Sequence, residues 1–140
     1  MFKTIAIFSI AIFALFALAC GSGSGTSSSG KTIKSGPVGN LTVTLANSDG
    51  VLKKGKQDLT VTFADASGKP VDVGSASVNF FMPAMGSMSA MNNPATLTTT
   101  GTPGIYRANA DIEMTGEWQA QVSFDGPAGK GKGSIPVTAQ

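Results

Sequence analysis

The chain has 140 residues, 41% of them hydrophobic and only 13% charged, and 10 Lys and Arg against 8 Asp and Glu leave a formal charge of +2. That balance contains no concentrated basic stripe of the kind nucleic-acid binding uses. There is no His and a single Cys, which removes the commonest general base and transition-metal ligand and excludes Ser-His-Asp and Cys-His catalysis.

Residues 1–19 place Lys3 ahead of an uncharged apolar run from Ile5 to Ala19. The run is short for a bilayer span, which takes about 20 apolar residues. Its basic start, apolar middle and small-residue end are those of a secretory signal peptide. Phe16-Ala17-Leu18-Ala19-Cys20 then resembles a bacterial lipobox. The resemblance implies cleavage before Cys20, acylation of that residue (palmitate-type), and a lipoprotein of the bacterial cell envelope. Gly21 after the cysteine, rather than Asp, implies sorting to the outer membrane, facing the periplasm. Residues 20–37 are rich in Gly, Ser, Thr and Lys and read as a flexible tether. Residues 38–140 are enough for one domain with a single core. With Cys20 lipidated, no thiol is left for a disulfide or a thiolate metal site.

From residue 38 onward the hydrophobic pattern has period two. Leu41, Val43 and Leu45 alternate with threonines, as do Leu59, Val61 and Phe63. Val78 and Phe80, then Tyr106, Ala108, Ala110 and Ile112, then Trp118, Ala120, Val122 and Phe124, and finally Ile135 and Val137 alternate with polar residues. Between them lie turn signals such as Asn47-Ser48-Asp49-Gly50, Ser67-Gly68-Lys69-Pro70 and Asp125-Gly126-Pro127. The expected strands cover 39–46, 57–65, 75–82, 95–101, 104–112, 116–124 and 131–138. Seven short strands, each with one wet and one buried face, predict an all-β, antiparallel, immunoglobulin-like sandwich centred on Trp118 and Tyr106.

The stretch 80–94 departs from this pattern. Met82, Met85, Met88 and Met91 recur every third residue, but Pro83, Gly86 and Pro94 argue against a helix. A loop is expected. Because consecutive antiparallel connections alternate between the two ends, the turn carrying Met114 should share an end with this loop. So should the connection carrying Lys53, Lys54 and Lys56. Thioether sulfur is a soft, neutral ligand suited to Cu(I) or Ag(I), which makes Met82, Met85, Met88, Met91 and Met114 candidate metal ligands. The same residues also fill irregular core gaps or form adaptable apolar contact surfaces, and both readings stay open on spacing alone.

Three motifs in order, Phe81-Met82-Pro83-Ala84-Met85-Gly86-Ser87-Met88, Pro103-Gly104-Ile105-Tyr106 and Met114-Thr115-Gly116-Glu117-Trp118, resemble the YtkA-like domain family, itself similar to the periplasmic part of FixH-type proteins. The resemblance implies a small immunoglobulin-like domain outside the cytoplasmic membrane, linked with copper or heavy-metal handling and without a catalytic role. It matches Met82, Met85, Met88 and Met114 to recurrent methionines of the family, with Met91 less securely placed. Two functions are therefore expected to compete. One is a lipid-anchored Cu(I)/Ag(I) binding module. The other is a metal-free interaction domain docking on a membrane efflux or oxidase-assembly complex. Scattered carboxylates such as Asp58, Asp111, Glu113 and Asp125 on wet strand faces lack any activating partner, and an enzyme is not expected.

Overall fold

A computed structural model describes residues 30–140. The expected leader, Cys20 and the first part of the tether lie outside the described residues. Eight antiparallel strands follow in order: β1 (Lys31–Val38), β2 (Leu41–Asn47), β3 (Gly55–Ala64), β4 (Ser75–Met82), β5 (Met91–Thr99), β6 (Ile105–Ile112), β7 (Gly116–Gly126) and β8 (Gly129–Ala139). Among the described residues there is no helix.

The all-β antiparallel expectation holds, whereas its strand count and its division into two sheets do not. All seven expected strands form, and β1 is an eighth, lying mostly in the stretch read as tether. Its register with β2 slips between Thr32 and Lys34, so the side-chain alternation breaks at Ile33. Gly36 and Pro37 add the look of a turn, although proline is tolerated in an edge strand such as this one. The eight strands form one sheet in the order β1-β2-β3-β6-β5-β4-β7-β8. β5 makes it continuous, because Met91–Ala95 pair with β4 and Thr96–Thr99 pair with β6. Pro94 falls in the half of β5 that has only one partner, where its missing N–H is harmless.

The sheet rolls until its two edges nearly meet. Small residues allow the approach: a side chain on Gly36 would sit 3.2 Å from Ile135 of β8, and one on Gly133 would sit 3.2 Å from Val38. Inside, the alternating residues form one core in which Trp118, Phe63 and Phe80 are almost wholly buried, with Tyr106 beside them. Phe63 meets Tyr106 and Phe124 edge to face, with ring centres 5.5 and 5.8 Å apart, the arrangement aromatic quadrupoles favour.

Candidate functional site

All five candidate methionines lie at one end of the barrel. Strand β3 begins and β6 ends there, with Gly55 opposite Ile112. β7 starts at the same end, with Gly116 opposite Ala139. The β4–β5 hairpin closes there too, with Met82 opposite Met91. The topological expectation is thus met: the Met114 turn and the loop carrying Lys53 and Lys54 share this end with the hairpin tip. Lys130 lies at the other end, ion-paired with Asp125 at 3.0 Å.

The expected loop over 80–94 is a hairpin. Met85 and Met88 exchange two backbone hydrogen bonds, Met85 N–H to Met88 O at 3.1 Å and Met88 N–H to Met85 O at 2.8 Å. Only Gly86 and Ser87 separate them. Gly86 has φ 55° and among the described residues no non-glycine residue has positive φ, as a type II′ hairpin turn with glycine first demands. The ladder is interrupted between this tip and the Met82–Met91 pair, because Pro83 has no N–H to donate.

This geometry sorts the methionines into two groups. Side chains alternate faces along a strand, so an odd separation of three sends Met82 and Met85 to opposite sides. Met82 is 2% exposed, whereas Met85 and Met88 are 52% and 40% exposed, the only large hydrophobic side chains so exposed among the described residues. Met91 and Met114 are half-buried and pack against the core. The Met82 Cε methyl lies 3.3 Å from where a side chain on Gly116 would begin, two residues beyond Met114. Met82, Met91 and Met114 therefore face inward at the barrel end, and Met85 and Met88 face water across a two-residue turn. Directly hydrogen-bonded antiparallel residues have Cα atoms about 5.5 Å apart, close enough for both thioethers to meet one soft ion.

The other two motifs hold the frame. Trp118 Nε1–H donates to Met114 O at 3.0 Å, tying the turn to the core. Tyr106 O–H donates to Gly74 O at 3.0 Å, and burial pushes its phenol above the usual pKa. Gly104 has φ 81° and abuts the Val71 backbone. Near the methionine end, Asp49 hydrogen-bonds Lys53, which holds its carboxyl below the usual range. Asn47, at the head of the expected Asn-Ser-Asp-Gly turn, shapes that same loop. Its Oδ1 accepts from the Asp49 and Gly50 amides and its Nδ2 donates to Val51 O. The sequence signal was its place at the head of Asn-Ser-Asp-Gly, where Asn side chains commonly mimic a turn. Among the described residues, no three His, Cys, Asp or Glu side chains gather in a metal-holding group.

No curated protein and no solved structure matches the chain. The family model described as YtkA-like matches residues 37–123, a span that runs from the end of β1 into β7 and contains all five methionines. With more than half of its length covered by that match, the chain belongs to the YtkA-like family.

Proposed function

We propose that the protein is a lipid-anchored binding module of the bacterial cell envelope that takes Cu(I) or Ag(I) on the thioethers of Met85 and Met88. The observation that carries the reading is the pairing of two water-exposed methionines across the tip of the β4–β5 hairpin. Two neutral sulfur donors suit a monovalent soft ion, and they need no deprotonation to bind it. Met82 is buried and Met91 and Met114 pack against the core behind the tip, so the ligand set is narrower than the five thioethers of the sequence. The anchor is Cys20, acylated after removal of 1–19, with the module facing the periplasm from the outer membrane. Binding, not catalysis, is its role.

Titration with Cu(I) under anaerobic, reducing conditions against a chromophoric competitor tests this. Wild-type protein is expected to bind one equivalent, the double variant Met85→Leu/Met88→Leu none, and Met82→Leu/Met91→Leu still one. Equal binding by wild type and the tip variant would sink the metal reading. The apolar tip would then be a contact surface for an efflux or oxidase-assembly protein, which leucine would preserve.

A further inference from the structure

We infer that the tip of the β4–β5 hairpin rests on the lipid bilayer that holds the anchor, so that the domain stands on its methionine end. The inference relies on the lipid-anchored reading above. It starts from where the chain enters the barrel. Lys31, at the head of β1, pairs with Asn47 at the end of β2, which is the end that carries the hairpin tip, the Met114 turn and the β2–β3 loop. Gly30 is the tenth residue after Cys20. A chain of that length reaches no more than about 35 Å. An anchor at Cys20 therefore holds this end of the barrel near the membrane.

The tip is built for such a contact. Residues 73–106 contain no Asp, Glu, Lys or Arg, so nothing on the hairpin carries a charge that must leave water. The amides and carbonyls of Met85 and Met88 satisfy each other, and the remaining tip backbone at 83–84, 86–87 and 89–90, outside the ladder, keeps the contact at the hydrated headgroup boundary and out of the hydrocarbon. Their two side chains are the exposed large hydrophobics of the described surface. Around them, Lys31, Lys54 and Lys56 are exposed at the same end, where lysine stems reach toward lipid phosphates. Both ends carry charges of both signs, Asp49, Lys53 and Glu113 at this one and Asp65, Lys69, Asp125 and Lys130 at the other, but among the described residues the opposite end has no exposed large hydrophobic side chain. Two thioethers would not hold a free domain on a bilayer. A tether raises their effective concentration enough for a weak contact to persist.

The test uses the acylated full chain in phosphatidylcholine vesicles containing brominated lipid. Because the chain has a single Cys, acylation at Cys20 leaves an introduced cysteine as the only thiol for an environment-sensitive fluorophore. Ser87→Cys puts the label on the hairpin tip, and Thr102→Cys puts the same label on the β5–β6 turn at the far end. The expected result is a blue shift and bromolipid quenching at position 87 and neither at 102. Equal behaviour at the two positions, or quenching at 102 alone, overturns the proposal. So does shielding at 87 that occurs in native envelope membranes but not in pure lipid, since a protein would then cover the tip. The mass of the Cys20 peptide separates the two levels of failure. Acylated Cys20 with a water-exposed tip removes this proposal alone, whereas unacylated Cys20 removes the anchor reading and this proposal with it.

Discussion

Two glycines with positive φ give a sharp test of how the barrel is held. Gly104 and Gly86 have φ of 81° and 55°. Alanine at either pays for the left-handed conformation, about 1–2 kcal/mol, offset by about 0.4–1 kcal/mol because the unfolded chain is stiffer. At Gly86 nothing lies within 4 Å of the new methyl, so Gly86→Ala should cost about 1 kcal/mol or less. At Gly104 the methyl would sit 2.6 Å from Val71 N and closer still to Val71 O, and backbone must move. That movement weakens Phe63 N–H to Gly104 O at 2.8 Å and Val71 N–H to Phe63 O at 2.9 Å. Each such bond contributes about 0.5–1.5 kcal/mol net, so Gly104→Ala should cost about 2–4 kcal/mol. A difference of about 2 kcal/mol between the variants corresponds to about 8–16 °C in Tm for a domain of this size. Scanning calorimetry of both variants beside wild type reads it directly. Equal melting shifts would show that the Val71 contact carries no weight, and that glycine at 104 serves its φ alone.

Tyr106 makes stability depend on alkaline pH. Burial raises its pKa above 10.0 in the folded state, so the neutral phenol is the favoured form. Its contribution is whole below pH 10 and is lost as pH rises through the folded value. Urea midpoints of wild type and Tyr106→Phe should differ by about 1 kcal/mol at pH 8, from the Gly74 hydrogen bond. The gap should close or reverse as pH rises above 10, and a gap that stays constant there would contradict the assignment. Trp118→Phe removes the indole donor to Met114 O, so amides of 113–116 should exchange faster. The Met88 methyl resonance should stay in place, because the tip is tied only to itself. Unchanged protection in the turn would mean that the indole bond does not hold it.

Six of the eight strands were legible because each alternates, Leu59, Val61 and Phe63 of β3 being one case, and β5 was legible as a run of threonines around Leu97. Alternation reports which face of a strand is buried. It does not report which edges join, and that is why a sandwich was expected where one sheet rolls up. The closing contacts run through Gly36 and Gly133, residues without a side chain to show in a hydrophobic pattern. β5 hid its switch of partner for a related reason. Its threonines fit either neighbour, and the change from β4 to β6 leaves no mark on composition.

The methionine repeat is the instructive case. A spacing of three reads as a helical stripe or a loop when the residues are taken in line. Folded about Gly86-Ser87, the same spacing is a mirror: Met85 meets Met88, and Met82 meets Met91. A Gly-Ser pair is a hairpin signal when it separates two strands, but Pro83 interrupts the first strand just where the signal would be read. Once the mirror is seen, the odd spacing decides the rest. Each step of three crosses the sheet, so one pair must go into the core and the next must face water. Exposure of 2% at Met82 and 52% at Met85 follows from that parity, and it is parity, not methionine count, that sets how many thioethers can reach a ligand arriving from solution.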